Sequence, residues 1–238
     1  MTSPVDSANN VNSQRLRPVT AATLVESVAD AIRASILAGR FAPGERLVEA
    51  ELARELQVSR GPIREALALL DKDGIVYNLP RRGKYVQEFT PKLVDEIYSL
   101  RRVLEPYAAS LVIEHLDDAR IARLEEAVAA LAVAAAGTDV RELAARDVAF
   151  HNLLYELSGH ELLQRAWSEN VAGKLRILLN VTNRTLPALA DAERQHRLLV
   201  EPILQRDVPA ATAAVESHID EAWQRAHLGL AGSEPVAL

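Results

Sequence analysis

Apolar residues four apart, Leu24, Val28, Ile32 and Ile36, open the patterned part of the chain and predict an amphipathic helix from Thr23 that stops at Gly39. The turn Ala42-Pro43-Gly44 separates it from a second helix over about 49–56, with Leu52, Ala53 and Leu56 inward. Val58 and Ser59 make the next turn, and Ser59 is the expected N-cap of a third helix from Arg60 to about Lys72. Pro62 falls in its first turn, where a missing amide does no harm. Ile63, Ala66, Leu67 and Leu70 form the buried edge of that helix, and Arg60 and Arg64 share the opposite edge. After Gly74, Ile75-Val76-Tyr77 and Tyr85-Val86 have strand character and are joined through Pro80-Arg81-Arg82-Gly83.

From Pro91 onward every long segment has helical period, giving helices near 91–114, 117–136, 139–157, 160–182, 187–205 and 208–227. Gly137 and Gly159 act as stops, Asp139 and Asp207 stand near starts, and the alanine-rich stretch 127–136 suits close helix packing. Pro106 and Pro202 sit inside apolar-periodic runs, where kinks are expected. The predicted fold class is mainly α: an N-terminal winged helix-turn-helix followed by an all-helical bundle of six or seven helices. The expected division is a disordered lead over 1–18, the winged helix-turn-helix over 19–88, the bundle over 91–228 and a flexible tail over 229–238.

Composition narrows the class. Of 238 residues, 49% are hydrophobic and only 4% aromatic, so two aliphatic cores are within reach. Without cysteine there is neither a disulfide framework nor a thiolate metal site, and without a long uncharged apolar run a cytoplasmic, non-membrane protein is expected. The net charge of -6 hides an asymmetry: residues 1–90 carry 12 Lys/Arg against 11 Asp/Glu, and residues 91–238 carry 15 against 22. Any nucleic-acid surface therefore belongs to the first part.

Within that part, Arg60, Arg64, Arg81, Arg82 and Lys84 crowd together. An arginine near the start of a recognition helix can donate twice to guanine, the helix N-terminus favours phosphate, and Gly61 keeps the approach face low. The paired wing arginines beside Gly83 suit the DNA backbone or a minor groove. The expected DNA-binding set is Ser59, Arg60, Gly61, Arg64, Arg81, Arg82, Gly83 and Lys84, presented to an operator duplex. No histidine, cysteine or glycine-rich phosphate loop marks this segment as an enzyme.

In the bundle, Asp147 and His151 are four apart on one helix face, His196 lies on the fifth helix and His218 on the sixth. Three imidazoles and a carboxylate suit zinc, nickel, manganese or a similar ion, leaving positions open for water or a carboxylate. The spacing also fits a helix salt bridge and separate satisfied polar residues. His115, His160 and His227 are expected at helix ends or the surface, and Trp167 and Trp223 in packing roles.

Residues 37–83 resemble the DNA-binding domain of the GntR family of bacterial transcription regulators, through Leu37 with Gly39, Pro43-Gly44-Glu45-Arg46-Leu47, Glu49, Glu51-Leu52-Ala53, Val58-Ser59-Arg60, Pro62, Arg64-Glu65-Ala66-Leu67, Leu70, Gly74 and Arg82-Gly83. The resemblance implies operator contacts by Arg60 and Arg64 and a wing glycine at Gly83. Many members carry an arginine where this chain has Ala50, which implies a different operator preference. Residues 91–228 resemble the all-helical FCD ligand-binding domain of the FadR-type branch, through Ile97-Tyr98, Leu100-Arg101, Leu104-Glu105, Asp147, Phe150-His151, Ser158-Gly159, His196, Asp207 and His218. In metal-containing members the ligands fall on Asp147, His151, His196 and His218. The six-helix count also resembles the VanR-like subgroup.

These resemblances imply a homodimeric regulator, by default a repressor, that binds a palindromic operator and is released by a small carboxylate at a divalent metal, zinc first and nickel or manganese next. Arg101 is a candidate for holding an anionic effector or supporting the cavity, the other reading being an exposed surface arginine. The expectation is a sensor and not an enzyme; the alternative is a metal-dependent enzyme for a small carboxylate fused to a DNA-binding module.

Overall fold

The computed structural model describes residues 21–137, 139–182 and 191–231. The lead over 1–18 and the start expected for the fifth bundle helix at 187 lie outside the described residues. Helix α1 (Ala21–Leu37) packs across α3 (Arg60–Lys72), burying Val28, Ala29, Ile32 and Ile36 against Ile63, Ala66, Leu67 and Leu70. Leu24, the first residue of the predicted stripe, is 45% exposed, so the buried face begins one turn later. Helix α2 (Glu49–Glu55) adds Leu52 and Ala53, and its turn into α3 is made with Gln57 in the left-handed region at φ 55°.

Strands β2 (Val76–Leu79) and β3 (Gly83–Val86) pair antiparallel, with Tyr77 opposite Tyr85 and Leu79 opposite Gly83. A two-residue strand, β1 (Arg46–Leu47), completes the sheet in the order β1-β3-β2. Sequence pattern could not reveal β1, because two residues carry no alternation; the free edge of β3 selects them.

The second unit has six helical runs among the described residues. Helix α4 (Pro91–Glu114) is capped by the Thr90 hydroxyl, α5 (Asp118–Ala136) by Asp117 and α6 (Val140–Leu157) by Asp139. The fourth run is divided by a π-helical turn at Ser168–Ala172 into α7 (Glu161–Trp167) and α8 (Gly173–Thr182). Helices α9 (Ala192–Leu204) and α10 (Val208–Ala231) complete the bundle, and α4 and α9 run unbroken through Pro106 and Pro202. Helix α10 extends to Ala231, three residues into the stretch expected to be tail. There Gly229 lies against Thr182, so close that a Cβ would fall 2.6 Å from the threonine Cβ.

Helix α8 belongs to both cores. Leu175, Leu178 and Leu179 are buried in the bundle, whereas Ile177 is buried in the core of the winged-helix unit. Asn180 donates to the Leu37 carbonyl at 3.2 Å, and Lys72 on α3 pairs with Glu169 in the π turn at 3.2 Å. Gly173 is required at the junction, since a Cβ there would stand 2.6 Å from the Asp73 carbonyl oxygen.

Ile177→Ala empties a site in a core to which its own domain does not belong, and is expected to cost about 2–4 kcal/mol in chemical denaturation. Leu228→Ala, at a side chain 74% exposed, is expected to stay within about 0.5 kcal/mol of the parent. Equal denaturation midpoints for the two variants would remove Ile177 from the shared core.

Candidate nucleic-acid interface and metal centre

The third helix stands as its sequence pattern requires, with its apolar edge buried and Arg60, Gly61 and Arg64 exposed. A Cβ at Gly61 would meet nothing within 4 Å, so the approach to this end of the helix is open. Ser59 occupies the N-cap position with extended backbone, but its side chain makes no capping hydrogen bond. Pro62, the third helical residue, has no amide to offer such a cap, although that of Gly61, the second, remains. Arg64 donates from Nε to Glu49 on α2 at 2.6 Å, which aims the guanidinium along the exposed face.

The wing turn is closed by Arg82 N–H donating to the Leu79 carbonyl at 3.0 Å, with Pro80 and then Arg81 between them. Arg81 is left-handed at φ 64° and Gly83 lies at φ 104°. Such a backbone costs an arginine about 1–2 kcal/mol and a glycine almost nothing. Arg81 and Arg82 are exposed at the tip, and Arg46 of β1 brings its guanidinium beside Gly83, a cation that was not among the expected contacts. Lys84 differs from the others. Its ammonium is held 2.5 Å from Asp71 of α3 and its side chain is only 20% exposed, so it ties wing to helix and does not point outward.

In the bundle, three helices bring the predicted ligand set together. Helix α6 carries Asp147 and His151 one turn apart, α9 carries His196 and α10 carries His218. The three histidines are buried, and one nitrogen of each lies within 4.8 Å of the other two. Asp147 Oδ1 is 3.3 Å from His196 Nε2, and its Oδ2 is 3.9 Å from His151 Nε2.

The protonation of these rings follows from their neighbours. His196 Nδ1 lies 2.7 Å from the Ala192 carbonyl, which can only accept, so Nδ1 carries a hydrogen and Nε2 is the nitrogen turned toward Asp147. That nitrogen is buried without a hydrogen-bond partner among the described residues. His151 Nδ1 is 2.8 Å from Glu105 Oε2, and Arg101 Nη2 is 3.2 Å from His151 Nε2, so this ring turns a lone pair toward the centre. Burial, followed by the charges of His196 and His151, holds the His218 imidazole well below the usual histidine range. Burial opposes the ionisation of Asp147, yet its contact with His196 and the charges of His196, His151 and Arg101 keep its carboxyl well below the carboxylate range. A carboxylate and the ring nitrogens of buried histidines thus converge on one small space. The donor set of three imidazoles and a carboxylate fits a divalent metal.

Glu105 was matched in sequence but given no role. It is buried and accepts from Arg101 Nε at 2.5 Å, one turn away on α4. Burial raises its pKa and the charges of Arg101 and His151 lower it further, to about 2. The i, i+4 spacing of Arg101 and Glu105 was the available signal, masked because such pairs are ordinarily solvated. Tyr98, Arg101, Asp147, His196, His218 and Arg225 are among the residues around a cavity of about 30 Å³ beside the histidines, room for about one water. The remaining histidines are peripheral: His115 ends α4, His160 caps α7, and His227 meets Asp95 at 2.9 Å. Trp167 is buried, while Trp223 is partly exposed and also donates to Asp95.

Residues 24–86 match the family of bacterial regulatory proteins, gntR family, and residues 96–221 match the FCD domain. The chain is 34% identical over 191 residues to the uncharacterized HTH-type transcriptional regulator YdhC of Bacillus subtilis (strain 168), covering 79% of this chain and 84% of that protein. It is 29% identical over 199 residues to the gluconate operon transcriptional repressor of Bacillus licheniformis, covering 82% and 81% respectively. Among solved structures, a GntR transcriptional regulator from Rhodococcus sp. RHA1 superposes with a TM-score of 0.75 at 23% identity, over 89% of this chain and all of that one. E. coli McbR/YncC gives 0.73 at 22% identity, over 87% and 98%. These relatives are regulators and not enzymes, so the metal-dependent enzyme reading loses its support. A reading head with an open recognition helix, joined to an FCD bundle and matched along most of its length by regulators, makes this chain a member of the GntR family, a DNA-binding transcriptional regulator.

Proposed function

We propose that the chain is a metabolite-released repressor whose FCD domain holds a divalent metal through Asp147, His151, His196 and His218. The observation that carries this reading is the convergence of His151, His196 and His218 nitrogens within 4.8 Å of one another, with the His196 ring oriented by the Ala192 carbonyl and its buried Nε2 set 3.3 Å from an Asp147 oxygen. Zinc is the first candidate, with nickel and manganese next. A bound metal supplies a Lewis acid to which a small carboxylate can add. Arg101 and Arg225, both at the cavity, supply cationic surroundings for it. A relative named for a gluconate operon makes gluconate and similar hydroxycarboxylates the first compounds to try. The reading includes a place in the FadR-type branch and, on the six helical runs, its VanR-like subgroup.

In the same reading two chains form a homodimer and set Arg60 and Arg64 in successive major grooves of a palindromic operator, with Ser59, Gly61, Arg81, Arg82 and Gly83 along the backbone. Helix α8 is the coupling element: Leu179 and Thr182 border the cavity, and Ile177 and Asn180 hold the head. A ligand that prefers one position of α8 must then alter operator affinity, and the operator must alter ligand affinity by the same factor.

Elemental mass spectrometry on untagged protein is expected to find close to one metal per chain, falling sharply in His151→Ala and in His196→Ala. Absence of metal after reloading, or equal content in all three proteins, would end the metal-centre reading. Arg60→Ala and Arg64→Ala are each expected to cost about 1–3 kcal/mol in operator binding at fixed salt. Arg81→Ala and Arg82→Ala should each reduce the salt slope by about one contact. Lys84→Ala, by contrast, should leave that slope intact, because its charge is spent on Asp71. A slope lowered by Lys84→Ala as much as by Arg82→Ala would place Lys84 on the DNA instead.

A further inference from the structure

The Arg101–Glu105 pair is fully buried, with side chains 2% and 0% exposed. A buried ion pair gives little net stability over an apolar pair, so its retention beside three histidines calls for another use. Its position supplies one. Arg101 is anchored on Glu105 by Nε to Oε1 at 2.5 Å and by a longer Nη2 contact to Oε2 at 3.4 Å, while the same Nη2 reaches His151 Nε2 at 3.2 Å. That nitrogen is also the one that faces Asp147, at 3.9 Å. An imidazole nitrogen has one lone pair, which accepts an N–H or binds a cation but does not do both.

We propose that Arg101 is a resident guanidinium that stands in for the cation at His151 and is displaced from that nitrogen when a divalent ion takes it. This rests on the metal-centre reading above and adds to it a dual role for one side chain. Without metal, Arg101 satisfies His151 Nε2 and offsets Asp147. With metal, Arg101 keeps its Nε bond to Glu105 and gives up Nη2, which is left to receive an anion in the adjoining cavity. Charge counting agrees. Arg101, Glu105 and Asp147 sum to one negative charge; a divalent ion brings the set to one positive charge, and a monocarboxylate neutralises it. Glu105 holds its place in both states, because it accepts from Arg101 on one side and faces His151 Nδ1 on the other. The site therefore admits metal first and anion second.

The test uses full-length protein, cobalt(II) followed by its visible absorption, and acetate added to the cobalt-loaded protein. Arg101→Gln removes the guanidinium that reaches His151 and that would receive the anion, leaving a shorter, uncharged amide. The variant is expected to bind cobalt about tenfold more tightly than the parent, because a positive charge beside the site is removed, and to need at least about tenfold more acetate for the same spectral change. A purely structural arginine would shift both affinities down together or neither. Unchanged or weaker cobalt binding by a folded Arg101→Gln protein, or an acetate response equal to the parent's, overturns the proposal. Should Glu105, stranded without its partner, prevent folding, Arg101→Gln/Glu105→Gln keeps the charge balance. That protein is expected to bind cobalt and to lose the acetate response, and a full acetate response in it overturns the proposal as well. Failure of the parent itself to bind cobalt would sink the metal centre, whereas parental binding with no gain in Arg101→Gln sinks only the displacement.

Discussion

Five buried polar side chains, Arg101, Glu105, His151, His196 and His218, meet inside a bundle built otherwise from aliphatic and aromatic residues. Each polar atom left unmatched there costs about 1–3 kcal/mol, so the five are tolerable only close together, and even so His196 Nε2 is left without a hydrogen-bond partner among the described residues. This constraint fixes more than the site. Helix α6 must turn Asp147 and His151 inward, α9 must offer the Ala192 carbonyl to its own histidine, and α4 must place Arg101 and Glu105 one turn apart. The rotations of four helices are thereby tied together by groups that hydrophobic packing alone would have excluded.

The second constraint is mechanical. On α8, residues 175, 178, 179 and 182 share one face and residues 177, 180 and 181 the other, as helical spacing demands. The first face meets the bundle and the cavity, and the second meets the winged-helix unit. A cleft of about 500 Å³ opens beside this contact, between the end of α1 with its following loop and the start of α6. The head is thus held chiefly along α8, with open space next to that contact.

Much of this was legible in the chain. The four-residue spacing of Val28, Ile32 and Ile36, the arginines opposite Ile63 and Leu67, and the helical periods after Pro91 all report burial that repeats along an element, and such periods survive in sequence. Residue types with few alternative uses in a buried helix, His151, His196 and His218, also announced themselves, although only the fold brings them together. What stayed hidden depends on contacts between distant segments. Ile177 looks like any other bundle residue, yet it completes the other core. Lys84 looks like one more wing cation until Asp71 is seen beside it. Glu105 looks like a solvated helix acid until α6 closes over it. Ser59 takes the N-cap position without its side chain accepting from the helix, and one of the two amides it could have used is missing at Pro62.

The Lys84–Asp71 bridge carries a consequence for how such a regulator is tuned. It joins the wing to the recognition helix across a half-buried contact, and the stacked rings of Tyr77 and Tyr85, 5.7 Å apart, stiffen the hairpin behind it. Helix and wing are therefore tied to each other, and in the dimer proposed above a signal passing through α8 would move them together. The quantity under control would then be the gauge between the two heads. A shift of an operator's half-sites by a single base pair, about 3.4 Å of rise and 36° of turn, would then matter as much as any change of the letters within them.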